Sequence, residues 1–158
     1  ADVWELVCDV ARVRGDWPGV LAATEHLLAS AGPPAWWVGS KRALQVRALI
    51  EVGDLDRAEA TLANLCKGSA VPAWRKREQE ALRCLLLLRR EKYEEALALS
   101  VALLGDWPEH AVLLAIRVEA AHHLDRMSEG GELYEWACAR LRRMGYGAWV
   151  DRLSGLLH

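Results

Sequence analysis

Apolar residues recur along this chain at steps of three and four, broken by short polar turns, a periodicity that predicts helices from end to end. Ala43 to Val52 carries apolar side chains at helical spacing. Gly53 then supplies a residue that takes the left-handed conformation at little cost and ends the helix. Asp54 follows, with a carboxylate able to accept from the free amides that open the next helix. Ala58, Leu62 and Leu65 continue at steps of four and three, a stripe facing back onto the first helix. The two segments predict an antiparallel hairpin.

The hairpin repeats. Gly15-Asp16-Trp17, Gly53-Asp54-Leu55 and Glu91-Lys92-Tyr93 stand 38 residues apart, with Val20, Ala58 and Ala96 three positions beyond each triplet. The same shift superposes Ala43–Ile50 on Ala81–Leu88 and Pro34-Ala35-Trp36 on Pro72-Ala73-Trp74. Anchors before, inside and after the first helix thus keep one register, the sign of a repeat architecture. Pro18 suits the first turn of its helix, where no amide partner is lost.

The third unit's second helix is expected to end near Leu104, with Gly105 as its stop. A fourth unit, His110–Leu124 and Ser128–Met144, aligns Asp125 with Glu91 at a shorter spacing and puts Gly130 at the small-residue position. Trp149, Val150, Leu153, Leu156 and Leu157 form a last apolar stripe, read as a helix that covers the open end. The chain is therefore expected to be one all-α domain: repeats over approximately 2–31, 35–66, 73–104 and 109–144, and a cap over 147–158. Gly15, Gly53, Ala58, Tyr93, Ala96 and Gly130 are its structural repeat positions. The 38-residue shift would start the first helix ahead of Ala1, which reads as a fragment of a longer protein.

Composition changes this picture little. A chain of 158 residues, 53% hydrophobic and 27% charged, can bury a full core, and a formal charge of -2 provides no global field for a polyanion. Nucleic acid is not expected to touch this fragment. The longest apolar run, Ala96–Leu104, is too short for a bilayer, so no membrane is expected. Cys8, Cys66, Cys84 and Cys138 lie far apart in helical contexts and read as free thiols of a reducing, cytoplasmic compartment.

Catalytic chemistry finds no candidate residues, and neither metal nor cofactor is expected. Adjacent His122 and His123 diverge by about 100 degrees on a helix and chelate one metal poorly. Cys8 and Cys84 align with Val46 as packing residues. Trp17 and Tyr93 share the turn position, and Trp36 and Trp74 open equivalent helices, so repetition argues that these four are structural. Trp37, Trp107 and Trp149 lack that explanation and are the candidates for an aromatic binding surface. The arginines of 75–77, 89–90 and 140–143 alternate with glutamates in the first two clusters and read as solvated helix faces.

Gly53-Asp54-Leu55-Asp56-Arg57-Ala58-Glu59-Ala60 and Tyr93-Glu94-Glu95-Ala96-Leu97 resemble the tetratricopeptide family. The long period, and the tail from Leu133-Tyr134-Glu135-Trp136-Ala137 through Met144-Gly145-Tyr146, resemble the effector-sensing domains of MalT-like bacterial regulators and the related bacterial transcriptional activator domain. The resemblance implies an α-α superhelix, a TPR-like solenoid of about four hairpins plus a capping helix, whose first helices line a groove. Its groove positions fall on Arg47, Ile50, Glu51, Glu78, Leu85, Arg89, Glu119 and His122. It further implies a non-catalytic domain that binds a protein, a peptide or a small effector within a transcriptional regulator. The alternative is a stand-alone adaptor or chaperone holding peptides in that groove.

Overall fold

The computed structural model describes residues 2–30, 32, 34–67, 71–126 and 131–157. Among the described residues the chain is all-helical: α1 Asp2–Arg14, α2 Trp17–Ala29, α3 Ala35–Val52, α4 Leu55–Leu65, α5 Ala73–Arg89, α6 Tyr93–Asp106, α7 Ala111–His123, α8 Gly131–Arg143 and α9 Gly147–Leu157. Gly130 and the expected helix start at Ser128 lie outside the described residues.

One turn recurs. Gly15, Gly53, Glu91 and Asp125 all have φ between 53° and 87°, so the left-handed position holds glycine twice and an acidic residue twice. At each, the following amide reaches five residues back: Asp16 N–H to Ala11 O, Asp54 to Leu49, Lys92 to Leu87, Arg126 to Ala121. This six-to-one bond satisfies a carbonyl that a helix end leaves free. In the first three turns the same residue then opens the next helix. Val20 donates to Asp16 O, Ala58 to Asp54 O and Ala96 to Lys92 O. Asp16 adds its carboxylate to Gly19 N–H at 3.0 Å.

A fifth copy of this turn joins α8 to α9. Gly145 has φ 89°, Tyr146 N–H donates to Leu141 O, and Val150 N–H donates to Tyr146 O. The last helix is therefore attached by the same reversal that joins the paired helices before it.

Helices α3, α5 and α7 lie side by side, and the even helices α2, α4 and α6 each pack on the odd helix that follows. Val20, Ala58 and Ala96 are fully buried, as are Cys8, Val46 and Cys84. Cys84 Sγ sits 3.4 Å from Ala96 O, so a small residue at position 96 is a packing requirement. Leu85, Leu86 and Leu88 are buried and Leu87 partly so, as a mid-stack helix requires. Burial goes further in α7, where Arg117 is the one fully exposed residue between Ala111 and Ala121, because α5, α6, α8 and α9 all pack around it.

Two expectations are corrected. Helix α6 runs through Gly105 to Asp106. Gly105 keeps helical backbone, and the stop comes at Trp107, whose φ of -132° and ψ of 68° leave the helical region just before Pro108. Trp36 and Trp74, read as structural, are exposed at 65% and 54% in the first turns of α3 and α5.

At the other end, α1 leaves Val3, Leu6, Val7, Val10 and Val13 exposed. The equivalents of Leu6 and Val10 are Leu44 and Ala48 in α3 and Leu82 and Leu86 in α5, where the preceding even helix packs.

Ala96→Leu tests the register. Adding a branched side chain where Cys84 touches the Ala96 backbone should overpack the interface and cost about 1 to 3 kcal/mol, read as a lower denaturant midpoint. An unchanged midpoint would place Ala96 elsewhere.

Candidate binding cleft on the face of the odd helices

The side of α3, α5 and α7 that faces away from the even helices carries a line of charged residues, and the turn before α9 crosses it. Gly145 makes the crossing possible. A Cβ on it would overlap the Arg12 carbonyl oxygen, and one on Gly15 would stand 2.9 Å from the Gly145 carbonyl oxygen. Two glycine turns at opposite ends of the sequence thus meet backbone to backbone.

Tyr146, which follows, is fully buried. Arg47 Nε donates to its hydroxyl at 2.7 Å. The guanidinium lies 4.8 Å from the Tyr146 ring and 5.4 Å from the Trp17 ring, and those two rings pack at 5.1 Å. Burial raises the Tyr146 pKa, so the phenol stays protonated.

Further along, Glu119 receives Trp149 Nε1–H at 2.8 Å and Arg152 Nη2 at 3.3 Å. Arg89 lies between, 3.1 Å from Glu51 and 3.7 Å from Glu119, with its guanidinium 4.8 Å from the Trp149 ring. Two carboxylates and two guanidinium groups thus balance around Glu119, which is only 5% exposed.

The eight expected groove residues therefore divide. Glu51, Arg89 and Glu119 are brought together, beneath the C-terminal segment. Ile50 is in the core. His122 is partly exposed at the C-terminal end of α7, edge-on to His123, which stacks on Tyr93 at 4.2 Å. Arg47, Glu78 and Leu85 line a cleft of about 460 Å³ that remains open toward the start of the odd helices. Trp74, Arg77, Ala81, Leu82 and His110 share its wall with Met144 and Tyr146. Arg77, His110, Val112 and Met144 also line an adjoining cleft of about 560 Å³, which contains Trp107, Trp136 and Arg140.

Sequence reading missed Trp74, Arg77 and His110 as lining residues. Trp74 and Arg77 sit in the first turns of α5, where the 38-residue pattern was already satisfied by packing, so only their exposure distinguishes them. Of the three tryptophans held back for an aromatic surface, Trp149 is buried at 2%, Trp37 is tied by Nε1–H to Glu5 at 2.6 Å, and Trp107 lies under Arg77 at 5.1 Å. That hydrogen bond lowers the Glu5 pKa.

The electrostatics are uneven. Burial, and then the charge of Arg77, push His110 down to about 4. It is therefore neutral at pH 7, and its Nδ1 accepts from Leu113 N–H at 3.4 Å to cap α7. Burial raises the Glu78 pKa against the opposing pull of Arg47 and Arg75. Burial drives the Cys84 thiol up to about 12 and leaves it unreactive. Among the described residues no group of three or more His, Cys, Asp or Glu is placed to hold a metal ion, and no helix is long and apolar enough to cross a membrane. The cleft offers fixed donors, one carboxyl group, apolar walls and an exposed aromatic ring. Such a set can bind and orient a small molecule. Compared with protein families, curated proteins and solved structures, the chain matches none.

Gly145→Ala should cost clearly more than Gly53→Ala. Both sites have positive φ, but nothing lies within 4 Å of a Cβ at Gly53, so that variant bears only the left-handed penalty of about 1 to 2 kcal/mol. Faster amide exchange across residues 146–157 in Gly145→Ala alone would report release of the C-terminal segment; equal costs would refute the close approach.

His110 sets a pH dependence. Between its ordinary 6.5 and about 4 the unfolded chain takes up a proton that the folded chain refuses. Acidification through that window therefore removes stability, at most about 1.4 kcal/mol per pH unit. Glu78 acts with the opposite sign but is common to the proteins compared. His110→Asn keeps a capping acceptor and does not titrate, so its melting temperature should fall less than that of the wild type between pH 6.5 and 4.5. Parallel falls would remove His110 as the cause.

Proposed function

We propose that this chain is a non-catalytic effector-sensing domain whose ligand is a small molecule held between the odd helices and the turn before α9. In this reading the helices form a TPR-like superhelix of four hairpins, and α9 folds over the concave face. The observation that carries it is the half-closed face. Tyr146, Trp149 and Arg152 occupy the part toward Glu51, Arg89 and Glu119, and beyond Tyr146 the face keeps a cleft of about 460 Å³, the size of a small-molecule site. Because Tyr146 both lines the cleft and anchors the C-terminal segment, a ligand there alters the hold on α9, which is how binding would be reported.

The resemblance to MalT-like and transcriptional-activator domains supports placing this module in a cytoplasmic bacterial transcription regulator. A stand-alone peptide adaptor fits the geometry less well, since an extended peptide needs the length of the face that the chain's own C-terminal segment covers.

The test is a thermal-shift screen of small metabolites against the wild type and Ser40→Trp. Ser40 is a partly exposed residue on the cleft, and an indole there should fill it without disturbing the core. Compounds that raise the wild-type melting temperature by several degrees and leave Ser40→Trp unmoved are the expected result. No shift with any compound, alongside capture of a peptide by both proteins, would overturn it in favour of the adaptor.

A further inference from the structure

Within that effector-sensing reading, on which the inference rests, we infer that the cleft takes a small apolar zwitterion of the α-amino-acid type. The argument starts from charges that the fold leaves uncompensated. Arg47 is fixed by its Nε–H···Oη bond to Tyr146 and lines the cleft, yet among the described residues it forms no ion pair. Arg77 and Glu78 form no ion pair or side-chain hydrogen bond among the described residues, although Arg77 touches the Trp107 ring. Glu78 feels Arg47 as its leading favourable charge but is not bonded to it. Elsewhere on the same face the arginines and glutamates have found one another: Arg89 with Glu51 and Glu119, Arg152 with Glu119. In the cleft, by contrast, Arg47, Arg77 and Glu78 face one space and form no ion pair among the described residues.

Charged groups of both signs set around one cleft without partners favour a ligand that brings the complementary pair. A carboxylate satisfies the guanidinium side and an ammonium satisfies Glu78. A simple anion would lie against the Glu78 carboxyl and a simple cation against two arginines, so each is disfavoured by one half of the site. Ala81, Leu82, Leu85 and Val112 supply the apolar wall for a side chain, with the Trp74 ring beside it. His110 adds no charge, being neutral at pH 7. The ligand's carboxylate and the Tyr146 hydroxyl would then share Arg47, placing the effector one side chain from the turn that holds α9.

Isothermal titration with L-leucine and L-phenylalanine decides this. Saturable binding is expected, weakened about tenfold or more by blocking either end of the ligand as N-acetyl-L-leucine or L-leucinamide. Glu78→Gln should weaken the free amino acids by a similar factor and leave N-acetyl-L-leucine unchanged, with an unaltered helical circular-dichroism spectrum confirming the fold. Equal affinity for free and N-acetylated leucine, or binding indifferent to Glu78→Gln, overturns the assignment. If neither amino acid binds but another compound shifts the wild type and not Ser40→Trp, the zwitterion is refuted and the effector cleft stands. If neither amino acid nor any other compound binds, both fall.

Discussion

Glu119 sits at 5% exposure with an indole N–H and a guanidinium on its two oxygens and a second guanidinium close by. An isolated carboxylate so placed would cost several kcal/mol. Here Arg89 balances it from α5, Arg152 and Trp149 from α9, and Glu51 on α3 takes the other side of Arg89. The cluster therefore ties three odd helices to the last helix. It also explains why α7 is buried almost all round, because the side that would otherwise face solvent is covered by the helix its carboxylate retains.

The local parts of this arrangement were legible in the sequence and the long-range parts were not. Turns at Gly15 and Gly53 announce themselves through glycine and a capping aspartate, chemistry confined to neighbouring residues. Glu91 and Asp125 occupy the same left-handed position without glycine, and there only the repeat register pointed to the turn. The bond between Arg47 and Tyr146 spans 99 residues and has no local signature. Periodicity marked α9 as a cover for an open end, since an apolar stripe says that a helix packs but not on what. Trp36 and Trp74 show the reverse limit: repetition suggested packing, and the start of a helix allowed exposure instead.

What the C-terminal segment does to the face is therefore the step from scaffold to site. Stacked helices alone present a long, shallow surface, and such surfaces suit extended chains. The Gly145 turn, pressed against Arg12 and Gly15, brings Tyr146 and Met144 across that surface and walls off one end. A wall changes the dielectric as well as the shape. The same closure that buries Tyr146 helps keep water from Arg47, and burial has already moved His110 to its neutral form and raised the Glu78 pKa.

Charges behave differently in the two halves of the face because their geometry differs. In the covered half, acid and base side chains come from different helices and reach one another, so the pairs close and the segment is held. In the open half, Arg77 and Glu78 are adjacent on α5 and diverge by about 100 degrees, while Arg47 is drawn toward Tyr146. Neighbouring residues of opposite sign on one helix cannot neutralise each other side by side. A molecule entering between α3 and α5 would meet both signs at once and share Arg47 with Tyr146. In the proposed reading, ligand binding and the hold on the C-terminal segment are linked through a single guanidinium, and by thermodynamic reciprocity whatever strengthens the hold on α9 would change the affinity of the cleft.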